Sequence, residues 1–478
     1  MDTLDQLEDA KPCVTTGSCV TTGPCAIPGP GAIREPPVPA HAVARPKILA
    51  AAALGLAAGA FVIAAKRKPS RAGRASAAVF GSTPARSFYD GADPARAVTI
   101  EDLRAMAHRR LPRFALEYLE GGAEEEAALG RNLVALAEWR FAHRSLVDVS
   151  RCALSSELFG RRMALPIAVA PTGLNQLFWP HADTRLAQAA AEAGIPFAQS
   201  TMSNDPMAEV ARVSGLRHWW QLYVFGPPEV RDALIDRARD AGCEALIVTT
   251  DAQIYGNREW ETRTKSGPGR LRWSARLDAL QHPRWFASGL LSHGMPRFAN
   301  VVDFVPTDRR RFFDSAHWIR SQMDRALSWA TVERIRERWP GKLVIKGLLR
   351  VEDVVRAAEI GADAVALSNH GGRQLDWSVA PLDILPAARR AVGDRIAILA
   401  DGGVRRGTDV VKMLALGADA VLVGRAVLYG VAAAGRAGAA RALAIFCEEL
   451  ERGLGLLGAA SVAALDRSLL ARASDPDL

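Results

Sequence analysis

The chain has 478 residues, 49% hydrophobic and 23% charged, a globular composition with enough apolar material for a core that needs no disulfide or structural metal. Sixty basic residues against 52 acidic ones give a net charge of +8. That is a modest excess with no basic stripe interleaved with aromatics, which argues against a nucleic-acid partner.

Residues 1–47 form a low-complexity tail rich in Pro, Gly, Thr and Ala, too poor in large apolar residues to fold alone. It holds an internal repeat, Cys13-Val-Thr-Thr-Gly17 and Cys19-Val-Thr-Thr-Gly23, followed by Cys25. Three cysteines at this spacing match no common zinc pattern; a soft metal, intermolecular disulfides or no role at all remain open. Residues 48–65 are an uninterrupted apolar run between Lys47 and Lys66, roughly 27 Å long as a helix, and are read as a transmembrane helix, with a buried helix as the alternative. A basic linker, 66–97, follows. Its Lys66, Arg67, Lys68, Arg71 and Arg74 outnumber the basic residues before the run, which is expected to place the domain that follows in the cytoplasm, beside anionic lipid.

From residue 98 to 470, short apolar runs alternate with helical stretches. The expected strands are Pro166–Ala170, Pro196–Gln199, Trp219–Val224, Ala245–Val248, Leu343–Ile345, Ala364–Leu367, Ile396–Ala400 and Ala420–Val423. Helices such as Asp183–Ala193, Glu229–Ala241 and Val351–Ile360 separate them. Eight such units predict an α/β fold, a (β/α)8 TIM barrel, with residues 252–327 as an insertion. Cys152, Cys243 and Cys447 read as core thiols of a reduced domain.

In such a barrel the active groups stand at the C-terminal strand ends. Polar residues occur at those positions throughout: Thr172, Ser200, Gln221 with Tyr223, Thr249 with Asp251, Lys346, Ser368 with His370, and Asp401. The sixth strand leads into Ser368-Asn369-His370-Gly371-Gly372-Arg373-Gln374-Leu375-Asp376. That turn can hold one imidazole and one guanidinium around a small anion. The seventh and eighth strands lead into Asp401-Gly402-Gly403-Val404-Arg405 and Gly424-Arg425, two consecutive turns of phosphate-binding type. Lys346 could stabilise negative charge on a reduced ring. No strand-linked G-x-G-x-x-G and no metal triad occur, which points to a mononucleotide with a redox ring, FMN, and to no metal.

These residues, with Leu111-Pro112, Tyr118, Gly121-Gly122-Ala123, Ala170-Pro171-Thr172-Gly173, Gln221-Leu222-Tyr223, Asp251, Arg258 and Lys346-Gly347, resemble the FMN-dependent α-hydroxy-acid dehydrogenase and oxidase family, above all its mandelate dehydrogenase branch. The resemblance runs from about Leu111 to the C-terminal helices. It implies that His370 is the base that takes a proton from the substrate, held by Asp251, and that Lys346 supports the flavin charge. It implies that Arg258 and Arg373 clamp the substrate carboxylate, with Tyr118 and Tyr223 bonding its carboxylate or hydroxyl. Pro171, Thr172, Gly173, Ser200, Gln221, Thr249 and Ser368 would hold the isoalloxazine and ribityl parts. Asp401, Gly402, Gly403, Val404, Arg405, Gly424 and Arg425 would hold the ribityl chain and phosphate. Proton abstraction with hydride transfer and a carbanion route both fit.

The expected activity is oxidation of an (S)-2-hydroxy acid, mandelate- or lactate-like, to the 2-oxo acid. The alternatives are a modified peptide or α-amino substrate, an oxidase that uses oxygen, or a non-enzymatic flavin scaffold. The resemblance also implies a homo-oligomer, a tetramer. His282-Pro283-Arg284-Trp285 and His293-Gly294-Met295-Pro296-Arg297-Phe298-Ala299-Asn300 resemble the branch's membrane-binding segment. Gly173 matches the dehydrogenase pattern, and with two elements directed at lipid the expected acceptor is a membrane quinone. One departure is Glu259-Trp260-Glu261-Thr262, where a large Trp260 could reshape the entrance, which leaves the substrate's identity open.

Overall fold

In a computed structural model, which describes residues 87–267 and 270–472, eight parallel strands close into a barrel. They are β1 (Ile167–Thr172), β2 (Pro196–Ser200), β3 (Arg217–Leu222), β4 (Ala245–Thr249), β5 (Lys342–Leu348), β6 (Ala364–Leu367), β7 (Ala397–Ala400) and β8 (Ala420–Val423). Each pairs with its neighbour in sequence, and β8 closes on β1 with Leu422 opposite Ala168. This is the expected TIM barrel. The expected 48–65 helix and the cysteine repeat lie outside the described residues.

Strand pleat divides the core in two. Inward positions carry Ala168, Ala198, Ala245, Ala364, Ala366 and Ala420, with Trp219 filling the space that so many alanines leave. Outward positions carry Val169, Phe197, Leu246, Ile345, Val365, Ile398 and Val423, packed against the helices. The hairpin Ser156–Leu158/Arg161–Met163 closes the N-terminal end, where Phe159 lies 5.7 Å from Trp219. Chemistry is thereby confined to the opposite rim.

The third strand begins two residues before its expected start. Arg217 and His218 read as polar, yet both are buried. Arg217 pairs with Glu244 at 2.7 Å and donates to the Leu158 carbonyl at 3.0 Å, and His218 Nε2 lies 3.0 Å from Gln199 Oε1. Their partners come from other strands, so hydropathy along the sequence does not reveal the burial.

Helices α1 (Ile100–Arg110), α2 (Arg113–Glu120) and α3 (Ala127–Glu138) precede the barrel and shape its mouth. A capping box between Thr99 and Asp102 starts α1. Asp376, from the turn after β6, accepts from the N–H groups of Glu125, Ala127 and Ala128 and so caps α3. Between β4 and β5 lie α4 (Glu259–Arg263), α5 (Trp273–Leu280) and α6 (Phe312–Ser321).

The C-terminal α7 (Arg425–Leu457) is, among the described residues, long and apolar enough to cross a membrane by length and composition. Its apolar window is mostly buried in the domain, and non-helical Ala434 and Gly435 break it in two. The two halves pack so closely that a methyl on Gly430 would collide with the Gly438 carbonyl. Gly430→Ala is expected to lower unfolding stability by roughly 1–3 kcal/mol. Gly455→Ala in the same helix, where an added Cβ meets nothing, should raise it by about 0.5–1 kcal/mol. Urea midpoints at unchanged m-value check both.

Candidate active site

The turn after β6 bends back because three successive residues adopt left-handed backbone: His370 at φ 57°, Gly371 at 64° and Gly372 at 73°. A Cβ on Gly372 would stand 2.6 Å from the Leu129 backbone nitrogen, so α3 presses directly on this turn. His370 is thereby swung over the rim. Its Nδ1 lies 2.8 Å from Asp251 Oδ1 and its Nε2 3.3 Å from the Tyr223 hydroxyl. With a carboxylate at Nδ1, that nitrogen is assigned the proton and Nε2 keeps a lone pair. Asp251 approaches this closely because residue 347 is a glycine; a Cβ there would meet the Asp251 carboxyl carbon at 2.7 Å.

Burial pushes the His370 pKa below 6.5, Lys346 and Arg258 push the same way, and Asp251 only partly offsets them. Burial would raise Asp251, but His370 and Lys346 outweigh it and hold the carboxyl below its ordinary range. Burial likewise opposes charge on Lys346, yet Asp401 and Asp251 hold its pKa above the usual value.

Beneath the imidazole lies a second buried network. Lys346 Nζ donates to Ser368 Oγ at 2.7 Å and stands 3.3 Å from Asp401 Oδ2. Ser368 donates to Asp401 at 2.8 Å and accepts from the His370 N–H at 3.0 Å. Across β2 to β4, Ser200 donates to Gln221 at 2.8 Å, and Gln221 donates to Thr249 at 3.0 Å. These polar side chains form the floor of the cavity.

Above the floor, guanidiniums gather. Arg258 lies 3.4 Å and Arg373 3.2 Å from Glu261 Oε1. Arg373 also donates to the Gly121 carbonyl at 2.6 Å and stacks over Tyr118 at 5.1 Å. Tyr118 donates to the Gly173 carbonyl at 3.2 Å, and burial raises its pKa as it raises that of Tyr223, so both remain hydroxyl donors. Arg425 donates to the carbonyls of Leu119, Gly121 and Gly371. Burial, with Arg373 and Arg405 nearby, pushes its pKa down to about 9.

The cavity is lined by every residue singled out from sequence except Asp251 and Ser368, which stand behind His370 and Lys346. Sequence reading missed Tyr255 and Arg320, which also line it and stack on each other at 4.4 Å. It also left the stretch after Arg258 undecided. Trp260 turns outward, is 39% exposed and stacks on Arg263 at 4.5 Å, so it does not reshape the entrance. Glu261 turns inward instead, as the counter-charge of two arginines; its i,i+3 spacing from Arg258 was the available signal. Residue 173 must be small for packing, since a Cβ there would meet Met202 Cβ at 2.7 Å.

The chain matches the FMN-dependent dehydrogenase family over residues 107–472, and it belongs to that family. It is 40% identical over 373 residues to the (S)-mandelate dehydrogenase of Pseudomonas putida, covering 78% of this chain and 93% of that protein. It is 41% identical over 373 residues to an L-lactate dehydrogenase of Caulobacter vibrioides, covering 77% and 96%. A solved structure of the monotopic membrane protein (S)-mandelate dehydrogenase superposes with a TM-score of 0.75 at 39% identity, over 79% of this chain and all of that one. A mandelate oxidase solved with (S)-4-hydroxymandelic acid reaches 0.68 at 35% identity, over 78% and 98%.

The cavity suits FMN on its own chemistry. Arg405 and Arg425 flank two glycine turns, with Gly402 at φ 99° and Gly403 at 81°, where bare backbone meets the cavity. The depressed pKa of Arg425 marks a cation whose field calls for an anion such as a phosphate. Asp401 Oδ1 is buried without a partner at the same wall.

Glu261→Gln should leave Arg258 and Arg373 without their shared counter-charge and destabilise the cofactor-free protein by roughly 3–5 kcal/mol. Added oxalate or phosphate should then raise the melting temperature more in the variant than in the wild type.

Proposed function

We propose that the chain oxidises a 2-hydroxy acid of the mandelate or lactate type to its 2-oxo acid with bound FMN, and passes the electrons to a membrane quinone. The observation that carries the reading is an imidazole braced by Asp251 at Nδ1, with Nε2 beside the Tyr223 hydroxyl, in a cavity that the Arg258 and Arg373 guanidiniums also line. A non-catalytic flavin scaffold has no use for that set. Relatives named for mandelate and lactate, both 2-hydroxy acids, support the substrate class.

In this reading FMN, when bound, accepts the two electrons that leave the substrate carbon. Arg258 and Arg373 hold the carboxylate, bidentate geometry fixing which face of the α-carbon is presented. Tyr118 and Tyr223 donate to its oxygens. His370 Nε2 takes the proton, and Asp251 at Nδ1 stabilises the imidazolium that results. Lys346, held charged by Asp401, stands where negative charge on a flavin ring would be neutralised. Ser200, Gln221, Thr249 and Ser368 would bond the ring and ribityl edge. Arg405, Arg425 and the two glycine turns would take the phosphate.

The membrane reading has support on this chain's own surface. Trp273, Leu277, Leu280, Phe286, Leu291 and Met295 are exposed apolar side chains along α5 and the segment after it. The apolar face thus begins earlier than the two quoted motifs. Trp285 and Phe298 of those motifs point inward, Trp285 donating to the Leu177 carbonyl at 2.8 Å. A cytoplasmic catalytic domain, the 48–65 helix as a second anchor and a tetrameric assembly complete the proposal.

His370→Gln should retain FMN and slow anaerobic flavin bleaching by substrate roughly 10²–10⁴-fold. In the wild type, His370 is unprotonated at neutral pH because its pKa lies below 6.5. The bleaching rate should therefore hold near pH 7 and fall as acidity rises through that lower value. Removal of residues 1–68 should leave a share of the protein in the membrane fraction; full solubility would assign all anchoring to the N-terminal segment.

A further inference from the structure

A second cavity of about 620 Å³ adjoins the active site, and the two have Tyr118, Leu174, Ala316 and Arg320 in common as lining. Its volume falls within the range of small-molecule sites. Aromatic and aliphatic side chains dominate its wall: Phe114 and Trp285 on one side, Phe312 and Phe313 of α6 on another, and Leu290 and Met295 towards the surface. Met295 of this last wall is among the exposed apolar positions described above, and exposed Leu291 directly follows Leu290 in the chain. The wall that separates the cavity from solvent is therefore the one suited to lie against lipid. Charged side chains, Glu261, Lys265 and Arg276, line it near α4 and α5, and His317 and Arg320 line it one turn apart on α6. Arg320 stacks on Tyr255 and makes no ion pair among the described residues, so its N–H groups are available to a neutral acceptor.

We propose that this chamber binds the quinone ring, which enters from the bilayer past Leu290 and Met295. The inference rests on the quinone reading above and adds where the acceptor sits. Arg320 donates to one ring oxygen. His317, exposed one turn earlier on α6, hydrogen-bonds the other. The reaction balances: the 2-hydroxy acid loses two electrons and two protons to become the 2-oxo acid. The quinone gains two electrons, relayed through FMN, and two protons to become the quinol, so FMN returns to its starting state. Arg258 and Arg373 do not line the chamber, so the acceptor can approach without displacing the carboxylate clamp. A polar acid site and an apolar ring site can then be occupied in turn or together.

The test uses the full-length holoenzyme in lipid nanodiscs. Flavin is reduced anaerobically with the 2-hydroxy acid, then reoxidised with a decyl-substituted benzoquinone in a stopped-flow instrument. Leu290→Trp, which fills the chamber from a position outside the active cavity, should slow reoxidation by roughly tenfold or more relative to the reduction step. An azido-benzoquinone photolabel on wild type should mark peptides containing residues 283–296 or 312–320, with protection by unlabelled quinone. Equal reoxidation in the variant together with labelling elsewhere overturns the chamber while leaving the quinone reading intact. Wild type that fails to reduce the quinone overturns both. If Leu290→Trp instead raises KM for bulky hydroxy acids and leaves quinone turnover alone, the chamber holds the substrate's substituent and the proposal fails. The photolabel keeps the test decisive even if the tryptophan variant folds poorly.

Discussion

Buried charge at one rim of a closed barrel is the constraint on which the rest depends. Lys346, Asp401, Asp251 and His370 are all withdrawn from bulk water, and each is tolerable only because the others are there. Lys346 stays charged through its two carboxylates, Asp251 stays charged through His370 and Lys346, and His370 stays neutral because burial outweighs its single carboxylate. Each of Lys346, Asp251 and His370 is shifted in part by another member of the set, so the base and its support are electrostatically linked.

The scaffold keeps that unit in register. Parallel pairing sets Lys346 opposite both Thr249 and Ala366, which aligns the ends of β4, β5 and β6. Left-handed backbone at residues 370–372 then carries the imidazole over the rim, while Asp376 from the same turn caps α3. One loop thus fixes both the base and the helix at the barrel mouth. The hairpin plug at the other end and the alanine-rich interior around Trp219 leave no room for chemistry below.

Above the base, positive charge is in deliberate excess. Glu261 serves two guanidiniums, and Arg425 has only backbone carbonyls as described hydrogen-bond partners. Such a site is unfavourable when empty and suits anions, which matches an FMN-dependent family acting near a carboxylate and a phosphate. The same domain also exposes an apolar face along α5 and the segment after it, close to a second cavity.

The sequence by itself determined the barrel and the identity of its strand ends. Period-two and apolar-run patterns are local, and a closed parallel barrel sends each strand's next polar residue to one rim. His370, Arg373, Lys346 and the two glycine turns were legible for that reason. Tertiary structure alone decided what comes from elsewhere. The burial of Arg217 and His218 depends on partners in other strands, and Arg320 reaches the site from a helix about seventy residues beyond β4. The inward turn of Glu261 and the outward turn of Trp260 were undecided by adjacent letters, because which side of a one-turn helix faces the cavity is fixed by Arg258 and Arg373 rather than by the helix itself.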